Sequence, residues 1–441
     1  MSVFYIIISL LCTIVAVAWI YPKILLVAIK KNVVDSPCDR KLQHKPIPVM
    51  GGVTVVFGIL VGLGCSCLFI NLSELLPIVI AILIMLYIGM IDDCIGLSPT
   101  IRFVVEIVVV LLLIYTYGYS LSDFHGLWGH NIISAYVAVP LTIFACVGII
   151  NAINLIDGIN GYSSGYCIMA CSIFGVFFYF AGDNIMVILA TVSVGALLPF
   201  FFHNVFGIKS KMFIGDGGTL VMGFIMSVFV VYALRADSSC EIFINKGAGL
   251  ISFTLAVMCV PIFDTIRVMS TRIIRGKSPF HPDKTHLHHL FIDMGFSHIG
   301  TTIFILTLNC FVILCWWIAY RCGVSIDGQF YIVIGFSVLI TFVFYKFMRI
   351  QQSHNTWFYR TMRSLGRVSH FEQHGIFLWL QKMMDRSVHA ECKEEANREH
   401  IEKGVLKIVT VSLKQQIPII EQLHLHKLHP KYDSKKSNTK K

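Results

Sequence analysis

Long apolar runs separated by short polar breaks dominate the chain from Val3 to Phe347. A helix that crosses a bilayer takes about 20 mostly apolar residues, and about eleven runs approach that length. Their cores are Val3 to Tyr21, Val49 to Ile70, Leu76 to Ile91, Phe103 to Tyr117, Ile133 to Ile150, Tyr166 to Ala181, Ile185 to Phe202, Thr219 to Leu234, Leu250 to Val268, Thr302 to Tyr320 and Tyr331 to Phe347. The pattern predicts an all-α polytopic membrane protein with about 11 transmembrane helices. After Phe347 it gives way to sequence rich in His, Lys and Glu. Two parts are therefore expected: a transmembrane domain over 1–348 and a basic tail over 349–441. In the tail, Trp357, Phe358, Phe371, Phe377 and Trp379 alternate with Arg360, Arg363 and Arg367. That mixture suits helices on an anionic membrane surface or a cap on the bundle. With no chemical motif, the tail from about Thr356 onward is expected to be dispensable for chemistry and to contribute to membrane-surface contact or complex assembly.

Composition agrees. The 441 residues are 56% hydrophobic and 14% charged, with a mean hydropathy of +0.75. A soluble domain carries roughly 25% charged residues, so that class is excluded. The first run has no basic stretch before it and no small-residue cleavage site, and is expected to remain as a span. Basic residues divide sharply between alternate loops. One set holds Lys30, Lys31, Arg40, Lys41, Lys45, Arg102, Lys209, Lys211, Arg272, Arg275, Lys277 and Lys284, and the other only Arg235, Lys246 and Arg321. Basic loops stay inside, so the first set and the tail are expected in the cytoplasm and the N-terminus outside. The net charge of +10 reflects this bias and the Lys-rich end, and calls for no nucleic-acid partner. The 14 cysteines are mostly scattered through apolar runs and suggest no disulfide framework.

Four polar groups interrupt this apolar background, all on the expected cytoplasmic side. Asp92 and Asp93 end an apolar run, where the helix dipole, their mutual repulsion and the bilayer all oppose them, so a cation should compensate. Magnesium typically takes one or two carboxylates plus substrate phosphates, which such a pair could supply. Asn151, Asn154 and Asp157 recur at i, i+3 and i+6, on one face if the fifth span continues helically, with Gly158 and Gly161 ending it. A polar helix exit is the plainer reading, but it leaves two amides near the bilayer without a purpose. Asp216, within Gly215-Asp216-Gly217-Gly218, is placed to cap the eighth span, to hold a metal, or both. His286, His288 and His289 follow a basic stretch containing Arg272 and Arg275; without a His-Glu-x-x-His pattern they suit pyrophosphate oxygens better than zinc. Asp264 can pair with Arg267 one turn on.

With these elements in order, the chain resembles the polyprenyl-phosphate N-acetylhexosamine-1-phosphate transferase superfamily, and within it the WecA-like undecaprenyl-phosphate N-acetylglucosamine-1-phosphate transferases. The resemblance covers roughly 35–297. It rests on Lys45-Pro-Ile-Pro48-Val-Met-Gly51-Gly52, Asp92-Asp93-Cys-Ile-Gly96, Asn151 to Gly161, Gly215 to Thr219, and Ser278 to His289. Gly96 stands where the family commonly has a third acid, and Thr219 where it has Ser. The resemblance implies transfer of N-acetylhexosamine 1-phosphate from a UDP-N-acetylhexosamine, with UDP-GlcNAc leading, to undecaprenyl phosphate. UMP is released and a lipid-linked surface polysaccharide begins. It implies magnesium, with manganese as a substitute, held by Asp216 and Asn154; Asp92, Asp93 and Asp157 as catalytic residues; and Lys45, Asn151, Arg272, Arg275, His286, His288 and His289 as substrate-binding residues. The implied setting is the bacterial inner membrane, with the active site cytoplasmic and a homodimer as a compatible assembly. A secondary transporter is the alternative class, but transporter sites usually lie near the midplane.

Overall fold

The computed structural model describes residues 2–35, 46–279, 283–370 and 375–394. The apolar runs form helices because only a helix satisfies its own backbone in lipid. In order these are α1 (Val3–Lys30), α2 (Gly51–Ser66), α3 (Leu76–Ile95), α4 (Pro99–Tyr117), α5 (Ala135–Leu155), α6 (Tyr162–Ala181), α7 (Asn184–Phe206) and α8 (Gly215–Leu234). They continue with α9 (Glu241–Ile244), α10 (Leu250–Val257), α11 (Cys259–Ile274), α12 (Leu287–Asp293), α13 (His298–Arg321), α14 (Ile326–Val338), α15 (Tyr345–Ser353), α16 (Trp357–Val368) and α17 (376–394). A π-helical stretch, Leu339–Phe344, joins α14 to α15. Among the described residues, nine helical segments are long and apolar enough to span, the bent pair α10 and α11 makes a tenth, and α2 is a shorter apolar helix. Each of the eleven expected runs falls on one of these.

The run from Leu250 to Val268 is not one straight span. It breaks at Met258 with a bend of 74°. Pro261 has no N–H to return to the Val257 carbonyl. Neighbouring helices replace that bond: the Val257 carbonyl accepts from the Tyr166 hydroxyl at 2.8 Å and from Asn309 Nδ2 at 3.0 Å. Asn309 Oδ1 in turn accepts the Val260 N–H at 3.1 Å.

Helix α8 is the axis of the fold, with its apolar length wholly buried. Its first turn can approach α2 and α3 because glycines face glycines there. A Cβ on Gly52 would lie 2.3 Å from the Gly218 nitrogen, and one on Gly89 would lie 2.4 Å from the Gly217 Cα. A two-stranded antiparallel ladder, β1 (Val34–Asp35) with β2 (Ile47–Pro48), precedes α2. From it the backbone pairs with the approach to α8: Phe213 N–H donates to the Pro48 carbonyl at 2.8 Å, and Gly51 and Gly52 N–H donate to the Phe213 and Ile214 carbonyls at 2.9 and 2.8 Å.

The chain divides into a unit over Met1–Arg386 and a second over Ser387–Lys441. The first unit thus runs past the 348/349 boundary read from composition and takes in α15 and α16. Ser369, the C-cap of α16, explains why: its hydroxyl accepts the Ser297 N–H at 3.1 Å, and its carbonyl accepts the Ser297 hydroxyl at 2.7 Å. Of the second unit, residues 387–394 are described and helical.

Candidate active site

The adjacent carboxylates are compensated separately. Asp93 caps α8: its Oδ1 accepts the Asp216 N–H at 2.9 Å and its Oδ2 the Gly217 N–H at 3.1 Å. Two orphan donors of α8 are satisfied and an anion meets the positive end of its dipole. The turn requires Gly215, which sits at φ 71° and whose Cβ would be 2.4 Å from Asp93 Oδ2. Asp92 instead accepts the Leu97 N–H at 2.6 Å, after a turn at Gly96 (φ 71°), and pairs with Arg102 Nη1 at 3.2 Å.

Arg102 is the expected cation. Ser98 caps α4 by accepting the Ile101 N–H, which places Arg102 in the first turn. Besides Asp92, its guanidinium reaches Asn151 Oδ1 at 3.4 Å, Glu106 Oε1 at 3.7 Å and Asp216 Oδ2 at 4.0 Å. Glu106, 1% exposed, accepts from Asn151 Nδ2 at 2.7 Å. Asn154 Nδ2 donates to Asp216 Oδ1 at 2.6 Å and to Thr219 Oγ1 at 2.9 Å. Its carbonyl oxygen is thereby the atom left to a ligand. Asp216 keeps 36% of its side chain open, so one face of this network is accessible.

Asp157 does not extend the α5 face, because α5 ends at Leu155 and the chain turns toward α6. Its carboxylate accepts from the Ser163 hydroxyl. Asp157 is open to solvent on one side, while protein crowds it elsewhere. That desolvation, with the charges of Asp216 and Asp35, raises it to about 7 against the Ser163 hydrogen bond.

The histidines reach this loop from the other side. His288 occupies the place of a Gly158 side chain: a Cβ there would be 2.3 Å from its Nε2. It is buried, and neither ring nitrogen has a hydrogen-bond partner among the described residues. Burial and the neighbouring His289 and His286 push it well below the usual histidine value, and burial takes His289 down to about 4. His286 is oriented by Asp264, whose Oδ2 lies 3.0 Å from Nδ1 and whose Oδ1 pairs with Arg267 at 2.6 Å. Arg272 grips Asp283 in a fork with two contacts of 3.0 Å and donates to the Pro279 carbonyl at 2.6 Å. Its charge shapes the loop that carries the histidines. Arg275 is exposed at the C-cap of α11. Lys45 lies outside the described residues.

Asp92, Asp93, Asn151, Asn154, Asp157 and Asp216 are therefore gathered at one end of the bundle, with His288 joined to them through Gly158. Asp123 is at the other end, where Ser122 Oγ accepts the Ala236 N–H at 3.0 Å beyond the last turn of α8. Glu106 and Asn204 touch this site although the motifs do not indicate them. Asn204 links two arms of the site, accepting the Gly161 N–H at 2.7 Å and donating to the Met212 carbonyl at 2.9 Å. An acid inside an apolar run is a signal that could have found Glu106; a lone Asn near a helix end gives none.

Among the described residues, no three histidine, cysteine or acidic side chains converge closely enough to enclose a metal. The oxygen donors of Asp216 and Asn154 suit a hard divalent cation that takes its remaining ligands from phosphate.

Residues 75–234 match the profile of glycosyl transferase family 4. The chain is 29% identical over 296 residues to the Bacillus subtilis (strain 168) protein named "Probable undecaprenyl-phosphate N-acetylglucosaminyl 1-phosphate transferase", covering 66% of this chain and 79% of that relative. It is 30% identical over 275 residues to the undecaprenyl-phosphate alpha-N-acetylglucosaminyl 1-phosphate transferase of Salmonella typhi, and 30% identical over 277 residues to the one of Escherichia coli (strain K12). Each of these two matches covers 62% of this chain and 72% of the relative.

Proposed function

Since the chain belongs to glycosyl transferase family 4, we propose that it transfers N-acetylglucosamine 1-phosphate from UDP-N-acetylglucosamine to undecaprenyl phosphate, releasing UMP. A phosphate oxygen of the lipid forms a bond to the sugar-linked phosphorus, and the bond from that phosphorus to the bridging oxygen of UMP breaks. The observation that carries the reading is the network of Asp216, Asn154, Arg102 and Asp92 at one end of an apolar bundle. There a lipid-borne phosphate and a water-borne nucleotide can meet. A site at one end also disfavours a transporter.

The two substrates are anions, so neutralising and orienting their phosphates is the main chemical task. A magnesium ion, or manganese in its place, would be held by Asp216 and the Asn154 carbonyl oxygen together with phosphate oxygens, and would supply charge neutralisation. Arg102 reaches both Asp92 and Asp216, offsetting the repulsion between these neighbouring carboxylates and lending positive potential to the open face. Asp93 fixes the turn that carries Asp216. Asp157 is the carboxylate best suited to take a proton from the acceptor phosphate, whose second pKa is about 6. The neutral ring of His288, without a partner among the described residues, is a ready hydrogen-bonding group for a phosphate oxygen or sugar hydroxyl. The inferred setting is the bacterial inner membrane with this end cytoplasmic, in keeping with the basic-loop asymmetry.

Purified protein supplied with undecaprenyl phosphate and a panel of UDP-sugars tests the reading through UMP release and the lipid product. The highest kcat/KM is expected with UDP-N-acetylglucosamine. A higher value for another amino sugar overturns the sugar assignment, and no product with any donor overturns the reaction.

A further inference from the structure

The loop from α7 to α8, residues 207–214, delivers the turn that carries Asp216, and it is anchored from outside the motif-bearing region. The Tyr21 hydroxyl in α1 donates to the Ser210 carbonyl at 2.8 Å. On the opposite side of the same residue stands Asp385 of α17. A single oxygen of its carboxylate accepts the N–H groups of Ile208 at 3.2 Å, Lys209 at 3.0 Å and Ser210 at 3.0 Å, and the Ser210 hydroxyl at 3.0 Å. Three successive N–H groups converging on one anion form a nest. Charge-assisted hydrogen bonds are roughly twice as strong as neutral ones. Ser210 is fully buried, so removing the carboxylate leaves its N–H and hydroxyl without that acceptor.

From Ser210 the path to the site is short and bonded. The Met212 carbonyl is held by Asn204, and Phe213 and Ile214 by the backbone of residues 48–52. Gly215 and Asp216 follow, with Asp93 on the Asp216 and Gly217 N–H groups.

We infer that Asp385 is a positioning residue for the active site: by filling the nest at residues 208–210 it fixes the loop that sets the Asp216 turn. The inference rests on the proposed function only in that turnover is one of its readouts. It also reverses the expectation that the tail from about Thr356 onward is dispensable for chemistry, since a chain ending near Met348 would lack this anchor.

Hydrogen exchange in peptides spanning 207–217 of the full-length protein, measured beside turnover, tests it. In Asp385→Ala, exchange at 208–210 is expected to rise about tenfold and to spread to the Asp216 and Gly217 amides, with kcat falling about tenfold, a part of the roughly 10²-fold that a misplacement of about 1 Å can cost. Asp385→Asn keeps an acceptor oxygen and should recover most of both losses. Should the alanine variant fail to fold, Asp385→Asn alone still predicts a rise of about threefold at 208–210, from the weaker neutral bond. Unchanged exchange at 208–210, or a rise confined there with kcat and the 216–217 amides unmoved, overturns the inference. If the unaltered protein turns over no UDP-sugar, the transferase reading fails while exchange at 216–217 still decides the role of Asp385.

Discussion

Replacing Arg102 with alanine removes the one cation that, among the described residues, touches Asp92, Glu106 and Asp216 together. At an effective dielectric constant of about 20, each pair at 3 to 4 Å has a gross attraction of about 4 to 5 kcal/mol before desolvation is subtracted. Breaking a buried pair from one side leaves the other charge uncompensated, at a cost of about 3 to 5 kcal/mol. Arg102 is 19% exposed and Asp216 36%, so solvent screens part of this, and about 2 to 4 kcal/mol is the expected loss of stability. Turnover should fall by about 10²-fold or more, as for loss of one major electrostatic contact. Stability is read from unfolding midpoints in detergent, and turnover from UMP release. Arg102→Ala combined with Glu106→Gln should regain stability, because the buried anion leaves with its partner, but not turnover. Arg102→Lys should rescue neither fully, since an ammonium cannot span Asp92, Asn151 and Glu106 as the planar fork does. Turnover of Arg102→Lys within about twofold of the unaltered protein would refute the reasoning, because a bare positive charge would then suffice.

Asp93→Ala should lose the α8 cap, costing about 0.5 to 2 kcal/mol, whereas Asp93→Asn keeps an acceptor and measurable turnover; complete loss in the asparagine variant would assign Asp93 a proton-transfer role instead. Turnover should rise with pH through about 7 as Asp157 ionises, and Asp157→Asn should flatten that rise in a pH–rate profile. For stability the sign is opposite: a carboxyl raised to about 7 favours the fold most below its ordinary value, and that contribution fades as pH climbs through about 7. Gly52→Ala should cost about 1 to 3 kcal/mol or more because its Cβ meets the Gly218 backbone, while Gly64→Ala, with nothing within 4 Å among the described residues, should be neutral or stabilising in thermal unfolding.

Much of this architecture is legible in the chain. Runs of apolar residues report helices directly, and the basic-loop asymmetry groups Asp92, Asn154, Asp216 and His288, as the structure does. The partners of those residues are harder to read. Adjacent positions on an α-helix point about 100° apart, so Asp92 and Asp93 diverge, one to the Arg102 guanidinium and one to the α8 N-terminus. Spacing likewise suggested a continuous polar face through Asp157, but the chain leaves the helix after Leu155 and Ser163 takes up the carboxylate. Arg272 reads as a free cation until Asp283 is seen in its fork. The nest around Asp385 is beyond sequence reasoning altogether, because its donors are backbone groups 175 to 177 residues away.

The bend between α10 and α11 bears on the order in which the protein is built. A ribosome delivers α10 and α11 before α13, yet the Val257 carbonyl and the Val260 N–H at the break depend on Asn309, which arrives 49 to 52 residues later. Until then the Val260 N–H in the bent form lacks its acceptor and the Val257 carbonyl has the Tyr166 hydroxyl alone, a costly state in a bilayer. The segment should therefore stay straight, or stay with the insertion machinery, until α13 has entered beside it. Bending would then be a late event, so the arm bearing Asp264 and the histidines would reach the Asp157 loop only after α13 has entered, and nascent chains ending before Asn309 should not yet hold a formed site.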